Sequence, residues 1–347
     1  MHLVKPHTTF HSISLIKLQG GYLVKVITIG ESLIDFVPNQ IGKALKDVTG
    51  FTKSPGGAPA NVAACVSRLG GKSQIITKLG MDSFGDFLVE KMGSVGIDCS
   101  SVSRTNAANT ALAFVSLRED GERDFAFYRN PSADMLLEAS EIQEGWFEPG
   151  DILHFCSVDL VDAPVRAAHD RAIEIARRKM LLVSFDPNVR LALWQDHDEY
   201  RRIINHYIHK ADILKVSSDE LEFITGMKNE AEALDSLFAQ VRVLVFTKGA
   251  AGAEIWLRGR KGGHSGFHVD TVDTTGAGDA FIGALLFQLQ RAGMSVNPEE
   301  HDPNELAAFS NAAAAIVTTR KGAIDAMPTY SEVERFLYDN RKDRGHP

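Results

Sequence analysis

A recurring alternation of short apolar runs with helix-spaced segments constrains this 347-residue chain more than any other feature. Runs at 25–30, 73–79, 151–156, 181–185, 213–216 and 243–246 have the length and composition of buried strands. Helical spacing fills 84–95, 163–178, 218–225 and 306–319. That rhythm predicts an α/β architecture around a mostly parallel sheet. In such a sheet the strands end along one edge, so the residues just past them converge in space. Here those tips are polar or small: Asp35 beyond the first run, Asp186-Pro187-Asn188-Val189-Arg190, Ser217-Ser218-Asp219-Glu220, and Thr247-Lys248-Gly249-Ala250-Ala251-Gly252. Each alone reads equally as a turn or a helix cap. Their shared edge points to a ligand site.

One stretch breaks the rhythm. The alternating runs 110–117 and 123–129 flank Asp120-Gly121, a hairpin signal. With segments of about 33–53 and 101–130, they predict a small β-strand subdomain. It would serve as a lid that excludes water or as an oligomer contact through paired edge strands, giving a homodimer.

The glycine-rich stretch Asp273-Thr274-Thr275-Gly276-Ala277-Gly278-Asp279-Ala280-Phe281 feeds an apolar helix over 280–290. Small residues, unpaired first-turn N–H groups and the positive end of the macrodipole together make an anion site. A carboxylate there repels a resting phosphate. Asp279 therefore reads as a base that takes a proton from a nucleophile, or simply as an acid complementing the dipole, worth about 0.3–1 kcal/mol. A second glycine turn, Gly56-Gly57, enters a helix over 62–70. Its Asn61 reads as a structural partner or as a reader of sugar hydroxyls. Gly70-Gly71-Lys72-Ser73 mimics the end of a Walker A loop, but Val66 stands where the leading glycine belongs and a helix precedes it. The small face around Asn311 suits a tight helix–sheet contact or a flat ring.

Net charge is −8 with scattered Lys and Arg, which disfavours nucleic acid and anionic membrane as partners. Three distant cysteines form no disulfide framework or CxxC pair, favouring a reducing, cytoplasmic location. No apolar stretch is long enough to span a membrane. Hydrolase, dinucleotide-binding and zinc motifs are missing, and His154 and His268 read as core or wall residues. Residues 1–24 read as an N-terminal extension or tag, because the apolar stretch at 13–16 is too short for a signal-peptide core.

Gly56-Gly57-Ala58-Pro59-Ala60-Asn61 resembles the first signature of the ribokinase/PfkB carbohydrate kinase family, and 273–281 resembles the second. The resemblance runs from about 25 to 338. Passages such as Gly30-Glu31, Leu33-Ile34-Asp35-Phe36-Val37-Pro38, the run 125–137, Asp186-Pro187-Asn188 with Arg190 and Trp194, and Lys321-Gly322-Ala323 are similar to fructokinases within it. It implies a ribokinase-like three-layer α/β/α domain over 25–340, with a mostly parallel central sheet plus a small β-strand lid. The implied reaction moves the ATP γ-phosphoryl to the 6-hydroxyl of D-fructose. 2-Keto-3-deoxygluconate kinase is the nearest rival, and a non-catalytic binding protein the rival from another class.

In that resemblance Asp279 is the base, and the N–H groups of Gly276, Ala277 and Gly278 are the anion hole. Asp35, Gly57, Asn61, Phe127, Arg129 and Arg190 hold the sugar. Lys215, Glu220, Thr247, Gly249, Gly252 and Asn311 hold the nucleotide, with Glu220 serving Mg²⁺ through water. Asp273, Thr275, Arg320 and Gly322 match a monovalent-cation site, for K⁺. One departure stands out: Ser217 occupies the position where the family's Asn-x-x-Glu motif has Asn.

Overall fold

The computed structural model describes residues 24–40, 42–117, 123–291 and 297–343. Chain order begins β1 (Val26–Ile29), β2 (Leu33–Pro38), β3 (Phe51–Gly56), α1 (Ala58–Arg68), β4 (Ser73–Gly80), α2 (Ser83–Ser94), β5 (Val102–Thr105), β6 (Leu112–Leu117) and β7 (Arg123–Tyr128). It continues β8 (Ile152–Cys156), α3 (Pro164–Arg178), β9 (Leu182–Asp186), α4 (His197–Ile208), β10 (Ile213–Ser217), α5 (Ser218–Thr225) and α6 (Glu230–Phe238). The last part is β11 (Val243–Thr247), β12 (Ala253–Leu257), β13 (Arg260–His264), α7 (Ala277–Arg291), α8 (Pro303–Thr318) and α9 (Tyr330–Asp343).

Nine strands form one sheet in the order β13-β12-β11-β10-β9-β8-β1-β4-β5. It is parallel from β5 to β11, and β12 and β13 add an antiparallel edge. Strand side chains alternate between faces, and both faces here are covered. Ile27, Ile29, Phe155, Val183, Phe185, Leu244 and Phe246 pack with α3, α4, α5 and α6. Val26, Ile152, Ile213, Val243 and Val245 pack with α7, α8 and the Val62–Val66 side of α1. Helices on both faces make the three layers, and they leave the carboxyl edge of the sheet as the place where loops meet.

The second sheet has four strands, β3-β2-β6-β7, and the chain enters it through β2 directly after the carboxyl end of β1. Its Ile34, Phe36, Leu112 and Phe114 side faces α2, where Phe84 meets Phe36 at 5.8 Å. Its Leu33 side carries Ala111, Ala113 and Phe127. The predicted lid boundary at 101 needs correction. β5 bonds to β4 as the edge of the main sheet, because its run lies beside a strand with an unfilled edge. The small sheet begins at β6 and, in the first segment, extends to Gly56. The Asp120-Gly121 turn lies outside the described residues, although β6 and β7 do pair antiparallel up to Leu117 and Arg123. The 1–24 extension lies almost wholly outside them too. The β12–β13 hairpin was not expected; alternation through Ala253-Glu254-Ile255-Trp256-Leu257 and the turn at Gly259 were its signals. Among the described residues no helix is long and apolar enough to cross a membrane.

Candidate active site

Two helices bring the two glycine motifs together. α1 and α7 cross so closely that a Cβ on Gly283 would lie 2.7 Å from that of Cys65, so only glycine permits the crossing. Cys65 Sγ donates to the Ala280 carbonyl at 3.4 Å. One turn away, Asn61 Nδ2 donates to Asp279 Oδ2 at 2.8 Å, linking residues 218 positions apart. The Asn61 Oδ1 atom is buried and unpartnered among the described residues. Asp279 lies in the first turn of α7. Burial raises its carboxyl above the ordinary range, against the pull of Asn61, Lys215 and Arg190. A buried carboxylate whose pKa is raised holds a proton more readily than an ordinary aspartate.

The turn before it has Gly276 at φ 77°. The Ala277 N–H donates to the Thr274 carbonyl at 3.2 Å. Of the three expected anion-hole amides, this one already has a long hydrogen bond that an anion would have to draw away. Beneath the turn lies Lys215, whose Nζ would sit 3.4 Å from a Cβ on Gly278. Lys215 Nζ is 2.8 Å from Asp186 Oδ2 and donates to Oδ1 at 3.0 Å. Burial opposes the charge on this ammonium, but Asp186, Glu220 and Asp279 outweigh it and hold the proton above the usual lysine range.

Glu220 is wired differently. Its Oε1 accepts from the Val189 N–H at 2.7 Å, and Oε2 accepts from the Ser217 N–H and hydroxyl, both at 2.8 Å. Ser217 is the N-cap of α5 and forms a capping box with this glutamate. Ser217 in the usual Asn position thus has a structural explanation: its short hydroxyl both caps the helix and holds Glu220. Both Glu220 oxygens are engaged by the protein, so a metal meets it through water or displaces those bonds. The Glu220–Val189 bond also fixes the backbone that carries Arg190, an exposed side chain whose charge reaches Asp279.

At the small sheet, Asp35 does not sit on a turn past the first strand, as expected, but inside β2. It pairs with Ser54 on one side and Ala113 on the other, and Ala113 pairs with Phe127. Asp35 and Phe127 therefore stand in one row on one sheet face, with only a methyl group between them. Gly57 joins the sheet to α1 at φ 102°. A side chain there would run into the Glu31 carbonyl at 2.4 Å.

Arg129 departs from expectation. Its guanidinium, 4% exposed, is ion-paired with Asp134 and Asp159. A buried cation needs such partners, and with them Arg129 stands in the wall of the cleft at the small sheet. Glu31, buried behind it, accepts the Ala58 N–H at 3.0 Å. Burial pushes its carboxyl up to about 7 against the pull of Arg129. Glu31, Asp134 and Asp159 were not among the expected site residues. An acid wedged between a strand end and an apolar run was the signal for Glu31.

Thr247, Gly249 and Gly252 fall together at the end of β11 and in the turn to β12. Beside them opens a cleft of about 510 Å³ lined by Lys248, Ala251, Glu254, Gly263, His264 and Ser265. Asn311 on α8 donates to the His264 carbonyl at 3.1 Å, so its amide tethers the end of β13. A second cleft, about 590 Å³, is lined by Asn109, Thr110, Leu112, Phe127 and Arg129 at the small sheet. Asp279 lines neither. Asp273 gathers the expected cation residues: Oδ1 accepts from the Thr275 N–H and hydroxyl at 2.9 and 2.7 Å, and Oδ2 from the Gly322 N–H at 3.1 Å. The Arg320 side chain turns away to Glu332 at 2.6 Å, so only its backbone is of use to an ion. His154 is a core residue, its Nδ1 3.0 Å from Ser184 Oγ, whereas His268 is exposed.

A three-layer α/β/α body, a small second sheet and a buried acid at a glycine turn define a class, and sequence comparison agrees. The pfkB family carbohydrate kinase model matches residues 24–330, and the chain belongs to that family. Within it, the chain is 46% identical over 314 residues to probable fructokinase-2 of Arabidopsis thaliana, covering 90% of this chain and 95% of that one. Two crystal structures are close in shape. Fructokinase from Xylella fastidiosa with bound ATP superposes with a TM-score of 0.83 at 34% identity, covering 91% of this chain and 99% of that chain. Fructokinase from Vibrio cholerae O395, in a form holding fructose, ADP and calcium ion, gives 0.82 at 34% identity, with the same coverages.

Proposed function

We propose that this sugar kinase is an ATP-dependent fructokinase, transferring the γ-phosphoryl to the 6-hydroxyl of D-fructose to give fructose 6-phosphate and ADP. The observation that carries the reading is the Asn61–Asp279 hydrogen bond, which joins the two glycine motifs at one buried carboxyl. Asp279 accepts the hydroxyl proton as the oxygen attacks. Phosphoryl transfer asks for positioning and charge stabilisation more than covalent help. Gly276, Ala277 and Gly278 face the transferring group with amides at the positive end of α7. Lys215 supplies a fixed positive charge beneath them. Asp35, Gly57, Asn61, Phe127 and Arg190 bound the sugar end, while Thr247, Gly249, Gly252 and Asn311 bound the nucleotide end.

Glu220, with both oxygens already engaged, would hold Mg²⁺ through water, and the ion would supply charge neutralisation for the phosphates. The Asp273, Thr275, Gly322 and Arg320-carbonyl group is an all-oxygen set suited to K⁺. The lid is also the homodimer contact in this reading. β3 and β7 are the small sheet's edges, and Tyr128 is 65% exposed beside Phe114.

An acid sugar would want an additional cation. Arg104, Arg129 and Arg166 are each engaged by the protein itself, which weighs against 2-keto-3-deoxygluconate. Coupled ADP release over fructose, 2-keto-3-deoxygluconate, ribose, tagatose and adenosine tests the reading. Fructose should exceed every other acceptor at least tenfold in kcat/KM. A preference for the keto acid would overturn the sugar assignment, and no turnover despite ATP binding would favour a binding protein.

A further inference from the structure

α1 starts without a cap of its own. Gly57 is its N-cap residue and has no side chain to accept a first-turn N–H. The acceptor comes from elsewhere in the chain: Glu31 Oε1, 27 residues earlier, takes the Ala58 N–H at 3.0 Å. The Glu31 carbonyl also stands where a side chain at position 57 would go, so the turn into α1 requires glycine there. From that turn the Asn61 N–H donates to the Gly57 carbonyl at 3.0 Å, and the Asn61 side chain holds Asp279. The other Glu31 carboxyl oxygen is buried without a partner among the described residues. Arg129, the first residue after β7, clamps Asp134 and Asp159, and its charge faces Glu31.

We propose that Glu31 is a positioning residue for phosphoryl transfer: it caps α1 from outside the helix so that Asn61 delivers its hydrogen bond to Asp279. The inference rests on Asp279 as the base. It distinguishes reach from charge. Glu31→Asp keeps the charge but is one methylene too short for the Ala58 N–H; Glu31→Gln keeps the reach and loses the charge.

Steady-state kinetics across pH, with fructose and ATP, separates these roles. E31D should lose about 10- to 100-fold in kcat with the KM for ATP within about twofold, the scale of a lost positioning contact. Its acid limb should move to higher pH, because a loosened Asn61 bond no longer lowers the Asp279 pKa. E31Q should stay within about fivefold of the parent, with its acid limb in place. Combined with Asn61→Ala, E31D should add nothing beyond the worse single variant, since both act through one bond. The reverse order, E31Q worse than E31D, or multiplicative effects in the double variant, overturns the proposal. If E31D does not fold, E31Q decides alone, and a loss above about tenfold overturns it. Asp279→Asn run alongside isolates the premise: an active D279N sinks the base assignment, whereas a dead D279N with a reversed Glu31 order sinks only the positioning role.

Discussion

Asp279 and Glu220 occupy matching places in two regions of the molecule. Each lies in the first turn of a helix at the sheet's carboxyl edge, and each is 9% exposed. Their wiring separates them. Glu220 accepts three hydrogen bonds. Although burial pulls its pKa up, Lys215 and the Ser217 and Val189 N–H groups hold it below the ordinary glutamate value. Asp279 accepts one, and burial leaves its pKa raised. A carboxylate whose lone pairs are spent on its own loops is a brace. One that is buried and under-bonded keeps an unmet demand for a proton, which is what a general base needs.

The comparison breaks most visibly at the base. Asp279→Asn should cut kcat by about 10²–10⁴ while leaving ATP binding largely intact, as measured by turnover and calorimetric titration. The same variant should melt higher than the parent, by the equivalent of about 0.5–2 kcal/mol. The raised folded pKa means that the ionised acid costs stability above that pKa, a cost relieved as pH falls through it. Asn removes the cost at neutral pH. Asn61→Ala is next: a loss of about 10- to 100-fold in kcat, with the acid limb moving up because the hydrogen bond that lowers the Asp279 pKa is gone. An unmoved limb would detach Asn61 from the base.

Glu220→Gln should act in the opposite sense to Asp279→Asn, lowering stability by about 1–3 kcal/mol in chemical denaturation. Its depressed folded pKa makes the Glu220 contribution present above the ordinary glutamate pKa and lost as pH falls through the lowered value. The stability gap between parent and variant should therefore narrow in acid. Ser217→Ala is the smallest effect. It removes one hydroxyl from the capping box and should cost about 1 kcal/mol, with kcat little changed.

Much of this was legible in the residues. The βα rhythm set the layers, since hydrophobic spacing is a local property that survives in any context. Asp279, Asn61, Gly57 and the turn at 247–252 stood out as candidates because glycine turns and helix starts announce themselves over a few positions. The errors share a cause as well. Arg129 looks like a ligand contact in sequence, and only its burial against Asp134 and Asp159 makes it an internal ion pair. β5 looks like lid, and only the open edge of β4 claims it.

The sequence by itself determined most of the parallel strands of the main sheet and several of its helices, and that acids and glycines gather at one edge of the sheet. Tertiary structure alone decided which acid accepts three hydrogen bonds and which accepts one, and that Glu31 reaches across to cap α1. Those outcomes depend on desolvation and on partners up to 218 residues away, and no local pattern encodes either.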